Sequence, residues 1–191
     1  MPLLDRAHLL EALRALDEEL GRANIRGEVF VVGGAAIALA YDARRSTVDV
    51  DAVFAPSTEV RAAAVRVAER LGFEPDWLND AAKAFLPGED PERIQVYEGT
   101  NLSVAAASPQ FLLTMKLLAA RVERDQDDIK LLYGLCRFTT AEEGIELVSN
   151  SYPEGLIPPR TRFLLEELFP SRDLNREKGP GLDRGDPGLG L

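Results

Sequence analysis

Seven residues constrain this chain more than any others: Val48-Asp49-Val50-Asp51-Ala52-Val53-Phe54. Their β-branched and aromatic content predicts a strand, on which successive side chains take opposite faces. Asp49 and Asp51 then project from one face, about 6.6 Å apart along the strand. Val48, Val50, Ala52 and Phe54 take the other. Two carboxylates side by side repel unless a cation lies between them or one is protonated. Oxygen-only ligands of this kind suit Mg²⁺, which accepts a pair of carboxylates together with substrate phosphates. The plainer reading is a half-exposed strand with its acids in water, and the segment alone does not separate the two.

Upstream, Phe30-Val31-Val32-Gly33-Gly34-Ala35-Ala36 reads as strand, glycine pair, helix. Glycine lets backbone approach a ligand closely, and a helix N-terminus offers unpaired N–H groups to phosphate. A tight strand-to-helix turn explains the same residues without any ligand. The stretch between Gly34 and Asp49 accommodates one short helix and a return loop, which would set the glycine turn beside the carboxylates.

Around these segments the apolar periodicity predicts a helix over Leu4–Leu20, where Leu9, Leu13, Leu16 and Leu20 recur at spacings of three and four. A strand follows over Glu28–Val32, then helices over Ala35–Tyr41 and Thr58–Leu71, the latter ended by Gly72. Trp77–Phe85 reads as a short helix, and Arg93–Tyr97 and Leu102–Ala106 as two more strands. Beyond them come helices over Pro109–Arg121, Asp125–Arg137, Ala141–Ser149 and Thr161–Phe169. The organisation is mixed α/β: a compact α/β unit over residues 1–108, a helical C-terminal part over 109–169, and a tail over 170–191. That tail is rich in Pro, Gly, Asp and Arg and is expected to be disordered or an interaction arm.

Two further segments carry charge where it is informative. Lys116 interrupts the apolar run Phe111–Ala120; it either snorkels its amine to solvent or serves a site. Asp125 and Asp128 open the next helix, where Asp125 fits an N-cap with Asp128 three positions on, a capping-box-like spacing. His8 reads as a helix-surface residue and Cys136 as a packing residue. One histidine and one cysteine exclude a histidine-centred hydrolase, a cysteine zinc cluster and an internal disulfide. No dinucleotide fingerprint is present. The single thiol suggests a reducing, cytoplasmic setting. The N-terminus has no basic-then-apolar signal pattern, and Val29–Tyr41, the longest nearly apolar stretch, is too short to span a bilayer. No membrane partner is expected. The formal net charge of −10 argues against indiscriminate nucleic-acid binding.

Gly33-Gly34 followed by Arg44-Arg45-Ser46-Thr47-Val48-Asp49-Val50-Asp51 resembles the nucleotidyltransferase fold shared with DNA polymerase beta. It is most similar to the branch containing the AbiEii-type and MenT-type toxins of bacterial toxin–antitoxin pairs. The Gly-Ser of many polymerase-beta relatives is Gly33-Gly34 here, as is usual in the toxin branch. The resemblance implies a nucleotidyltransferase-like mixed sheet flanked by helices. It also implies a Mg²⁺-dependent enzyme, with Mn²⁺ as a substitute, that moves a nucleoside monophosphate (NMP) from a nucleoside triphosphate (NTP) to a hydroxyl and releases pyrophosphate.

The implied roles fall on particular residues. Asp49 and Asp51 are the metal ligands, while Gly33, Gly34, Arg44, Arg45, Thr47 and Lys116 are set around the nucleotide. The branch's lysine faces the nucleotide phosphates, which favours a site role for Lys116. Asp128 is the last acid of an Arg-Asp-x-x-Asp segment that begins at Arg124 and contributes to the active site. A third metal-side carboxylate is not evident; Glu98 follows a strand but nothing marks it. The resemblance further implies tRNA, at its 3′ end, as acceptor and a cognate antitoxin as partner. The acidic net charge fits tRNA only if Arg44, Arg45, Lys116, Arg121 and Arg124 gather into one basic pocket. The alternatives are NMP transfer to a protein hydroxyl, and a catalytically silent binding module of the same fold.

Overall fold

The computed structural model describes residues 3–42, 44–119 and 121–170. The chain opens with a two-residue strand β1 (Leu4–Asp5) and helix α1 (Arg6–Arg22). Asp5 caps α1, its carboxylate accepting from the His8 backbone N–H at 2.9 Å. Strand β2 (Gly27–Val31) leads directly into α2 (Gly33–Ala40). A two-residue strand β3 (Ser46–Thr47) pairs antiparallel with β1, and β4 (Val50–Ala55) runs into α3 (Ser57–Leu71). Gly72, at φ 73°, closes α3 in the left-handed conformation that ends many helices.

After β5 (Leu78–Asn79) and a 3-10 turn over Ala81–Phe85, strands β6 (Ile94–Glu98) and β7 (Leu102–Ala106) form a hairpin. Helices α4 (Pro109–Ala119), α5 (Val122–Cys136), α6 (Ala141–Ser151) and α7 (Pro159–Leu168) complete the described chain.

The main sheet has the order β5-β4-β2-β7-β6 and is mixed: β2 is antiparallel to β4 and parallel to β7. Alternation along the strands divides its faces. Val29, Val31, Val50, Ala52, Phe54, Leu102, Val104 and Ala106 are buried. A Cβ on Gly27 would meet Leu20 of α1 and Val60 of α3, which places those two helices over this face. Phe30, Asp51, Val53 and Ala105 turn to the other side and remain partly open. One continuous core links sheet and C-terminal helices, with Phe111 of α4 edge-on to Phe30 at 5.4 Å and Leu164 and Leu165 of α7 inside it.

Four expectations need correcting. The aspartate-bearing strand begins at Val50, not Val48; residues 48 and 49 form a bend, and Val48 is 43% exposed instead of facing the core. The Thr47 hydroxyl donates to the Asp49 carbonyl at 3.0 Å and holds that bend. Trp77–Phe85 is not one helix. Trp77 is fully buried with its indole N–H on the Ala64 carbonyl, and the next two residues extend the sheet beside β4. Helix α5 starts three residues before Asp125, after Arg121, so Asp125 lies within the helix and is no cap. Finally, the helix expected over Leu4–Leu20 begins only at Arg6, because Leu4 and Asp5 pair with β3 as a short strand that no periodic signal marks. The expected tail lies outside the described residues, save Pro170. Among the described residues no helix is long and apolar enough to cross a membrane.

Candidate functional site

The end of β2 and the start of β4 build the centre of the site. Their antiparallel register pairs Val31 with Ala52, and the Val32 N–H bonds to the Asp51 carbonyl at 2.9 Å. The chain then turns through Gly33 at φ 64°, a conformation that disfavours any side chain, into the first turn of α2. A Cβ on Gly33 would sit 3.3 Å from the Asp51 carboxylate, and one on Gly34 would sit 3.1 Å from the Thr47 hydroxyl. Both glycines keep backbone close to the aspartate segment.

Asp49 and Asp51 converge, though not by strand alternation, because Asp49 precedes the strand. They meet at Asn79 of β5, which lies beside Asp51 in the parallel register. The Asn79 amide donates to Asp49 Oδ2 at 3.2 Å and also stabilises the Asp51 carboxylate. Burial pushes the Asp51 carboxyl above its ordinary range, and the Asp49 charge adds to the rise. Asn79, Arg121 and Lys116 act in the opposite sense, so both cations lie within electrostatic reach of Asp51. The Asp51 carboxylate is thus buried and faces a like charge on Asp49, and a divalent cation between them would offset both penalties. The donor set therefore fits Mg²⁺. Among the described residues no group of three or more His, Cys, Asp or Glu side chains is placed to hold a metal, so this pair would share its cation with substrate phosphates.

Lys116 on α4 does not snorkel into solvent. Its ammonium is 2.7 Å from Asp125 and 2.8 Å from Asp128, which follow one another at helical spacing on α5. Asp125 is buried and Asp128 nearly so, and Arg45 reaches Asp128 at 3.4 Å. Two carboxylates thereby accept from the one ammonium group. Arg44 is exposed and paired with Asp42 at 3.1 Å, while Arg124 lies exposed on α5. The gathering of Arg44, Arg45, Lys116 and Arg121 thus brings acids with it. Four cations are set against Asp42, Asp49, Asp51, Asp125 and Asp128.

No sequence pattern marks Asn79, and the pattern around Asp125 marks it only as a helix cap. Asn79 sits in a stretch whose polarity resembles a surface helix. Asp125 had a signal, an acid nine positions after the lysine and three before Asp128, which helix start rules explain away. Glu98 pairs with Arg26 at 3.3 Å and accepts from Gln95 and Ser103, apart from the aspartates. His8 is exposed on α1, and Cys136 is half-buried.

Residues 7–139 match the family described as "Nucleotidyltransferase of unknown function (DUF6036)". No curated protein matches the chain. Among solved structures, an antigenic nucleotidyltransferase-like protein from Paracoccidioides brasiliensis is 14% identical, covering 78% of this chain and 89% of that one at a TM-score of 0.39.

Proposed function

The chain belongs to this nucleotidyltransferase family, and on that premise we propose that it transfers NMP from an NTP to a hydroxyl acceptor, with Mg²⁺ held by Asp49 and Asp51. The observation that carries the reading is the convergence of these carboxylates beside the Gly33 turn, with Lys116 and Arg121 close enough to act on Asp51. The cation, when bound, supplies charge to neutralise the triphosphate and its leaving group.

The chain's own residues do the rest by position and charge. Gly33 and Gly34 leave room for phosphate against the backbone, and the first turn of α2 offers N–H groups to it. Thr47 braces the bend that carries Asp49. Lys116, oriented by Asp125 and Asp128, adds a positive charge for the departing pyrophosphate. Arg44 and Arg45 border the same region. The acceptor oxygen bonds to the α-phosphorus as the bond to the bridging oxygen breaks. Pyrophosphate leaves with that electron pair, and the hydroxyl proton passes to solvent.

The resemblance to the AbiEii and MenT toxins favours tRNA, at its 3′ end, as acceptor, with a cognate antitoxin as partner and the cytoplasm as location. The balance of charge favours a second acceptor. A polyanion approaching this site meets five carboxylates as well as four cations, whereas a protein hydroxyl brings no such repulsion. Incubating the chain with each α-labelled NTP, Mg²⁺, and either total tRNA or candidate proteins decides between them. Label on the tRNA 3′ end supports the first acceptor and label on protein the second. NTP binding with no labelled product under any condition overturns the transferase reading in favour of a silent binding module.

A further inference from the structure

We propose that Asn79 is a positioning residue whose side-chain amide bridges Asp49 and Asp51 and keeps the two carboxylates convergent before a cation binds. The inference rests on reading that pair as the cation site.

The orientation of the amide follows from its partners. Asn79 Oδ1 accepts from the Ala81 backbone N–H at 3.0 Å, a group that can only donate. The amide nitrogen must therefore face the other way, where Asp49 Oδ2 lies at 3.2 Å and the Asp51 carboxylate stands beside it in register. An ionised carboxylate accepts hydrogen bonds only, so both ends of the amide demand the same orientation. No assignment with oxygen and nitrogen exchanged satisfies either end.

The platform beneath Asn79 is held on several sides. The Val50 N–H bonds to the Trp77 carbonyl at 2.6 Å, and the Trp77 indole is anchored to α3 through the Ala64 carbonyl at 2.9 Å. On the other flank Asp80 pairs with Arg61 at 2.9 Å. A short strand pinned in this way fixes the amide relative to the aspartates.

Removing that amide leaves two like charges with no donor between them. Each carboxylate is then free to rotate away from the other, and cation binding must first bring them back together. Partners of metal-binding side chains typically alter metal affinity about 10- to 100-fold when removed. Asparagine is also the residue that can serve both ends. Aspartate would satisfy the Ala81 N–H but present a third negative oxygen to the pair, and alanine would serve neither.

Calorimetry of Mn²⁺ binding and thermal melting in EDTA at low salt, on the full chain with Asn79→Ala and Asn79→Asp, test the proposal. Asn79→Ala is expected to bind Mn²⁺ at least about tenfold more weakly than wild type. Asn79→Asp, which preserves the turn at Ala81, is expected to melt below wild type in EDTA and to be raised further than wild type by Mn²⁺. A residue serving only the turn would lower the melting temperature of Asn79→Ala alone. Mn²⁺ affinity within twofold of wild type for Asn79→Ala, with wild-type melting of Asn79→Asp, overturns the proposal. A wild-type chain that binds no Mn²⁺ removes the cation-site reading instead, while melting of Asn79→Asp in EDTA still reports whether position 79 faces the two acids.

Discussion

Replacing Lys116 by methionine should destabilise the protein before it says anything about chemistry. The ammonium is the cation 2.7 Å from Asp125, whose side chain is 5% exposed, and 2.8 Å from Asp128. Deleting one partner of a buried pair costs about 3–5 kcal/mol, because the remaining charge is left in a poor solvent. Asp128 keeps Arg45 at 3.4 Å, which places the expected loss near the lower end, about 3 kcal/mol. With a urea dependence of about 2 kcal/mol/M, the unfolding midpoint should fall by about 1.5 M. The single tryptophan, Trp77, is fully buried and reports the transition by its emission. The double change Lys116→Met with Asp125→Leu should recover about 2 kcal/mol, since apolar replacement of both partners is close to neutral. A Lys116→Met protein within about 0.5 kcal/mol of wild type, or a double variant no better than the single, refutes the buried-pair argument.

Two further outcomes follow from individual side chains. Gly33→Ala should cost about 1–2 kcal/mol, because φ at that residue is 64°. It should also abolish labelled transfer, since the added methyl lies 3.3 Å from the Asp51 carboxylate; urea midpoint and turnover measured together check both. Burial pushes the Cys136 thiol up to about 11, with the Glu92 charge adding to the rise. Its thiolate should therefore be scarce at pH 8 and appear only as pH approaches the raised value. Reaction with an aromatic disulfide reagent at pH 8 should be about a hundredfold slower in the native protein than in urea. Equal rates would contradict the burial of that sulfur.

Much of the architecture is legible in the sequence because it rests on local patterns. The leucine spacing of α1, the Gly72 stop of α3, and the strand-glycine-helix run through Gly33 each follow from short-range rules. The pairing of glycine turn with aspartate strand is legible too, since the intervening chain has just enough length for one helix and a return. What escapes are features set by through-space contacts. Alternation assigns Asp49 to a strand, yet a Thr47 hydroxyl bond bends the chain first and the convergence is made by Asn79. Asp125 has the composition of a helix cap but lies three residues inside α5, where helical spacing to Asp128 turns both acids towards Lys116. No rule of sequence spacing crosses from one helix to the next with that accuracy.

If Asp49 and Asp51 together carry the transfer, neutralising one of them must abolish it. Label transfer from α-labelled NTP in Mg²⁺ is measured for wild type and for Asp51→Asn, after melting in EDTA shows that the variant unfolds no lower than wild type, as removal of a buried charge facing Asp49 requires. Transfer by the wild type and a loss of at least a thousandfold in the variant, about 4 kcal/mol of barrier, are expected. Comparable transfer by a folded Asp51→Asn protein would contradict that role for the pair.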